Sequence, residues 1–414
     1  MHNDILAHLD NPQYLEQLYR ADKPAFRKAF DSLYPQIENN LLAKAWHERL
    51  SYNPDGLSWG TPRDRVVVLL ASVVAALLAK LPAILSLAPG YYYPRNIGFI
   101  AFPLLIGYFA WKQTVPRQTG IVLAVLMGLA AVYINWLPQA PTSDTLILAC
   151  LHLPLWLWSL LGFTFTGGRL RRDANWLGFL RYNGELVVMT AVLLLACGLA
   201  TAITINLFNL IGWNIIGFYS NYVVICSLAA LPIVATYLTQ VQPALVGKVS
   251  PVIARLFSPF ALVMLLIYLV AMTASGKNLY HDRAFLLLFN GLLVGVMALI
   301  FFSVAGTGSV HQNRVQLLIL FLLSIVTILI NGIALSAILF RIAEWGITPN
   351  RAAVLGSNVL ILCHLLLVGF RLWQVTTRRS DLSPISRSMA YFLPVYSAWA
   401  VVVVFVFPLL FGFK

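Results

Sequence analysis

The stretch Leu317–Phe340 reads LLILFLLSIVTILINGIALSAILF. It contains no charge, and its only polar side chains are Ser324, Thr327, Asn331 and Ser336. As a helix rising about 1.5 Å per residue it extends about 36 Å, enough to cross a hydrocarbon core of about 30 Å. A soluble domain would have to hide such a run completely, and one run of this kind is feasible.

Working outward, the same pattern recurs along most of the chain. The 414 residues are 60% hydrophobic and 10% charged, against about 25% charged in a typical soluble domain. No soluble core absorbs that much apolar surface without large exposed patches. Apolar segments fall near 66–88, 97–111, 120–137, 144–168, 184–211, 218–240, 252–274, 283–305, 315–340, 351–373 and 388–411. The expected fold is therefore all-α, a polytopic transmembrane helix bundle of about eleven spans over residues 63–414. The segment near 97–111 is short for a span and reads either as a crossing or as a re-entrant helix.

Residues 1–62 differ in character. Nine of the fifteen acidic residues precede residue 66. Asp10-Asn11-Pro12 and Asp22-Lys23-Pro24 are helix-start signals, and apolar residues follow each at helical spacing. Ile37, Leu41, Leu42, Ala45 and Trp46 mark a third apolar face. Three short amphipathic helices are few for a large independent core, so this segment is expected to dock on the membrane domain or its surface. The alternative is a module that binds a protein partner. Asp4 and Asp10 precede any apolar run, which does not resemble a cleavable signal peptide.

The net charge of +13 follows topology. With the N-terminal segment in the cytoplasm, thirteen basic residues fall in cytoplasmic loops. Six lie on the opposite side: Arg95, Lys277, Arg283, Arg341, Arg351 and Lys414. This asymmetry predicts an N-in, C-out orientation. It also explains the charge without nucleic acid, for which no binding motif is present.

Cys150, Cys197, Cys226 and Cys363 lie in predicted helices without CxxC spacing, so neither a disulfide scaffold nor a zinc site is expected. The chain lacks GxxxxGK[ST] and GxSxG, and His47-Glu48 lacks the second histidine of HExxH. No metal, cofactor or catalytic motif is predicted.

Pro82, Pro103, Pro154, Pro232, Pro259, Pro394 and Pro408 interrupt apolar runs. Each frees a backbone carbonyl, which a transporter uses at a broken helix and a packed bundle absorbs in a kink. Gly291 and Gly295 form a GxxxG pattern, read as internal helix packing. Ser324, Thr327 and Asn331 form a polar stripe suited either to interhelical hydrogen bonds or to a pore lining.

Ionisable residues in apolar segments mark candidate sites, because lipid exposure is costly. Lys80 lies toward the outer end of the first span, where it snorkels or faces an anion. Asp144 and His152 share a rough face of the fourth segment, either as a proton-linked pair or with His152 hydrogen-bonded locally. Glu185 reads as a helix-start acid near Arg181. Arg95, Asp282, Arg283, Arg341, Glu344 and Arg351 converge on the outer face, with Lys80 and Asp144 toward the same side. Together they form a candidate site for a small anionic ligand or anionic lipid head group. The competing reading is an interfacial belt of basic and aromatic residues with local ion pairs.

The combination of Trp46-His47-Glu48-Arg49, Tyr93-Pro94-Arg95-Asn96, Arg181-Tyr182-Asn183-Gly184-Glu185 and Ile347-Thr348-Pro349-Asn350-Arg351 resembles bacterial polytopic membrane proteins of the domain-of-unknown-function family 4153. The resemblance implies a bacterial inner-membrane location and no activity. Permease-like handling of a small or lipid-linked anionic substrate is the leading functional expectation. The alternatives are a membrane enzyme acting on a lipid or lipid-linked sugar at the outer leaflet, and a non-enzymatic sensor or assembly subunit.

Overall fold

A computed structural model describes residues 2–51, 60–138, 143–168, 173–242, 249–274, 283–305, 314–378 and 383–413. All regular structure among them is helical. The chain divides into two compact units, Met1–Ser58 and Trp59–Lys414.

The first unit contains α1 (His2–Ala7), α2 (Pro12–Ala21), α3 (Lys23–Ile37) and α4 (Leu41–Ser51). Asn11 caps α2 by accepting from Tyr14 N–H, and Asp22 caps α3 by accepting from Ala25 N–H. Each offsets an orphan donor at its helix start. The apolar faces turn on one another: Ile5, Leu15, Phe26, Phe30, Leu33, Trp46 and Leu50 are buried in one cluster. Thus α1, absent from the expected three helices, supplies a face, and the unit has a core of its own. Glu16 pairs with Arg49 at 2.7 Å and Arg20 at 2.8 Å. Arg49 also stacks over Trp46 at 4.5 Å.

In the second unit, a helix corresponds to every predicted apolar segment. They are α5 (Pro62–Ile84), α6 (Pro89–Lys112), α7 (Arg117–Trp136), α8 (Asp144–Phe165), α9 (Asp173–Leu210), α10 (Ile216–Val241), α11 (Val249–Ala274), α12 (Arg283–Ala305), α13 (Arg314–Trp345), α14 (Pro349–Arg378) and α15. The last begins as Ser383–Val401, passes through π-helical Val402–Val406 and ends as Phe407–Leu410. Among the described residues, eight helices are long and apolar enough to cross a membrane: α5, α7, α8, α9, α10, α13, α14 and α15. Their outward residues are apolar, as in α9, where Leu195, Leu199, Ile203 and Leu207 are exposed. Water would penalise that surface and lipid does not. The chain is a multi-pass membrane protein.

The helix ends revise several expectations. α5 stops at Ile84 because Leu85 leaves the helix and Ser86 has φ +53°. α6 is one continuous helix through Pro94 and Pro103, and it starts at Pro89, ahead of the apolar run. Its 24 residues extend about 36 Å. α9 begins at Asp173, so Glu185 lies well inside the helix and cannot act on its macrodipole. It pairs instead with Arg181 one turn earlier, at 3.2 Å. The prolines do not break their helices: Pro82, Pro103, Pro154, Pro232, Pro259 and Pro394 all lie within continuous helical elements. Gly291 and Gly295 meet no neighbouring atom within 4 Å of a built Cβ, so the GxxxG pattern is not an internal packing seam among the described residues.

α13 and α14 pack along their length around buried Leu323, Ile330, Ala334, Leu365 and Val368. Ser324 and Thr327 donate to carbonyls of their own helix, at Phe321 and Leu323. Asn331 reaches across and donates to Asn358 O at 3.1 Å. All three are fully buried. The stripe is an interhelical seam rather than a pore lining. A second seam joins α6 to α7, where the Asn96 and Asn135 amides exchange two hydrogen bonds of 2.9 Å.

Candidate functional site

A cavity of about 920 Å³ lies between α8, α12, α13 and the start of α14. Four of the residues singled out from the sequence line it: Asp144, His152, Arg341 and Arg351. They come from three separate helices. Asn290, Asn350 and Asn358 add amides to the same wall, and exposed Leu151, Leu155 and Val294 form its apolar part.

Two helix starts border the cavity. Ser143 caps α8 by accepting from Leu146 N–H, and Asp144 is the first helical residue. At the other border, Thr348 accepts from Arg351 N–H at the start of α14. The positive ends of two macrodipoles therefore lie beside two guanidinium groups and one carboxylate. With His152 neutral, the formal balance of the lining is one positive charge.

Arg351 serves the fold as well. Its Nη1 donates to the carbonyls of Trp345 and Gly346, at 3.0 and 2.7 Å, closing the C-terminal end of α13. Its guanidinium lies 5.6 Å from the Trp345 ring centre, and that of Arg341 lies at the same distance. The indole thus contacts both cations, which line the cavity.

His152 Nδ1 lies 2.9 Å from Leu148 O. A carbonyl only accepts, so Nδ1 donates and Nε2 of the neutral ring is an acceptor. Asp144 is two turns away, about 12 Å along the axis. No hydrogen bond or ion pair joins the two among the described residues, so they do not form a proton-linked dyad. Asn358 is 1% exposed, and neither its Oδ1 nor its Nδ2 has a partner; Asn290 Oδ1 is likewise buried and unpartnered. Buried amide atoms normally find partners. Those at this wall leave hydrogen-bonding capacity beside the cavity.

The remaining predicted residues lie elsewhere. Lys80 donates from Nζ to Asn221 O at 2.6 Å and sits 4.4 Å over the Tyr222 ring. Asn221 belongs to the π-helical turn Tyr219–Val224 of α10. Lys80 is thereby latched to that turn and lines neither this cavity nor its neighbour. Arg95 lines the neighbouring cavity, described below. Glu344 is exposed and does not line the main cavity. Asp282 lies outside the described residues, and Arg283 is placed only as the first residue of α12. The outer cluster expected from topology is therefore partitioned.

Asn290 and Asn358 were not singled out by sequence reasoning. Their one legible signal is an uncharged amide interrupting an otherwise apolar helix. His364, another candidate by type, lies away from the cavity. It is stacked on Phe392 with ring centres 4.2 Å apart and hydrogen-bonded to Tyr396 at 3.0 Å. No family model, curated protein or solved structure matches the chain.

Proposed function

We propose that this protein is a permease-like membrane protein handling a small or lipid-linked anionic substrate in the cavity of Asp144, His152, Arg341 and Arg351. In this reading all eleven helices from α5 to α15 cross the bilayer, with the N-terminal unit cytoplasmic and the C-terminus outside. The distribution of basic residues supports that orientation. The resemblance to family 4153 supports a bacterial inner membrane as the location.

The observation that carries the reading is the convergence of two arginines, two helix starts and unpartnered amides on one cavity with an apolar wall. An anionic head group gains charge-assisted hydrogen bonds there, and an attached chain gains the apolar wall. The separation of Asp144 from His152 and the position of Glu344 favour binding and passage over acid–base catalysis.

The test uses proteoliposomes carrying a fluorescent phosphatidylglycerol in one leaflet. Translocation by the native chain, reduced at least tenfold by Arg341→Gln, is the expected result. A lipid moved equally well by the variant would remove this cavity from the route. Conversion of the probe to a cleaved product would instead favour the enzyme.

A further inference from the structure

A second cavity, of about 680 Å³, lies on the other side of α8. It shares Ile147 and Leu151 with the main cavity as a common wall. Its lining is almost wholly apolar, from Pro94, Ile97, Leu146 and Pro154 among others, and Arg95 is the one charged residue among the described residues that line it.

Arg95 is 3% exposed. Its Nη2 donates to the carbonyls of Leu137 and Pro138, at 3.2 and 3.3 Å, and its guanidinium lies 4.3 Å over the Tyr91 ring. These partners are neutral. Nη1 is buried with no partner, and among the described residues no carboxylate pairs with Arg95. A buried, uncompensated cation is far costlier than an orphaned amide, so the position calls for an anion.

A second feature meets it there. α6 begins at Pro89 after Ala88, which supplies no side-chain cap, and Ala88, Gly90 and Tyr91 line this same cavity. At the uncapped N-terminus of this 24-residue helix, Pro89 has no N–H and Tyr91 and Tyr92 donate to Ala88 O, so Gly90 N–H and the positive end of the macrodipole are what it presents. Ile97, Ile147 and Leu151 at the rim are exposed on the apolar surface. A ligand held here therefore has a compact anionic group at one end and hydrocarbon at the other.

We propose that Arg95 and the α6 N-terminus form an anionic-phospholipid site, taking the lipid phosphate while the acyl chains lie along Ile97, Ile147 and Leu151. The site is independent of the permease reading. The lining offers little that would contact the head group beyond its phosphate, so net charge is the main selector. Phosphatidylglycerol binds more tightly than zwitterionic phosphatidylcholine.

The experiment is native mass spectrometry of the delipidated full chain carrying Arg341→Gln, which disables the anion site proposed in the main cavity, titrated with each lipid. The expected result is one phosphatidylglycerol retained at least tenfold more tightly than phosphatidylcholine. Arg95→Gln added to that background abolishes the preference. Because Arg95 also closes the end of α7, Gly90→Phe provides a second variant. Gly90 lines the cavity and a built Cβ there meets nothing within 4 Å, so the backbone accepts a side chain at this position. It too should abolish the preference. Equal retention of the two lipids in the Arg341→Gln background, or an undiminished preference once Gly90→Phe is added to it, would overturn the proposal.

Discussion

The Tyr92 hydroxyl donates to the carbonyl oxygen of Leu78 at 2.9 Å. Leu78 stands four residues before Pro82, and its carbonyl loses a helical donor because position 82 has no N–H. Tyr93 makes a parallel bond to Ala79 O, also at 2.9 Å. The start of α6 thereby repairs the end of α5. Bilayer hydrocarbon offers no water to do so.

Tyr92→Phe should consequently lower stability by about 1 kcal/mol. In a Pro82→Ala background, where the restored N–H at position 82 can return to Leu78 O, the loss should be smaller. Thermal unfolding of the four members of this cycle in detergent checks the coupling. Equal losses in both backgrounds would show that the Tyr92 hydroxyl does not compensate for the donor missing at Pro82.

Two glycines with the same sequence appearance should respond oppositely. A Cβ at Gly356 would lie 2.1 Å from the Trp399 ring, whose Nε1 donates to Ser357 Oγ at 3.0 Å. The ring is held by that bond and cannot yield freely, so Gly356→Ala should cost about 1–3 kcal/mol. At Gly291 the space is open. Gly291→Ala should leave stability unchanged or raise it, since alanine favours helix. Melting temperatures of the two variants decide the contrast.

The apolar helices were legible because the length and composition of their apolar runs follow directly from the bilayer. Helix ends were legible as well, since Arg341 and Arg351 stand near the end of α13 and the start of α14. Direction around each helix was not. Loop order puts Lys80 and Arg95 on the same side as Arg351, yet Lys80 turns to Asn221 and Arg95 to Leu137 O. Near-uniform hydrophobicity leaves little periodic contrast from which to read a face. The Ser324–Thr327–Asn331 stripe was visible, but only the position of α14 distinguishes a seam from a pore.

In the N-terminal unit, Arg49 with help from Arg20 holds the Glu16 carboxyl below its usual range. A depressed pKa means the folded state favours the ionised form. The resulting stability is fully present above the unfolded glutamate value, about 4.3, and is lost as pH falls through the lower folded value. A peptide of residues 1–58, which contains the whole buried cluster around Phe26 and Trp46, should be helical at neutral pH. Its melting temperature, followed by circular dichroism, should fall on acidification below about pH 4. Glu16→Gln should flatten this dependence without abolishing the fold. An unfolded peptide at neutral pH would mean that this core needs the rest of the chain.

Arg341 and Arg351 flank the same indole, and Arg351 also donates to the carbonyls that end α13. Their substitutions should separate binding from positioning. Arg351→Gln removes a charge from the cavity and the two donated bonds from Trp345 O and Gly346 O. It should lower both ligand affinity and melting temperature, the latter by the equivalent of about 1–3 kcal/mol. Arg351→Lys keeps the charge but replaces a planar fork with a single ammonium. It should recover part of the affinity and little of the stability. Arg341→Gln should weaken binding of an anionic lipid with a smaller change in melting temperature. Measuring lipid binding and thermal unfolding on the same three preparations distinguishes the roles. If affinity tracks melting temperature across all three, the arginines build the cavity wall and do not hold the anion.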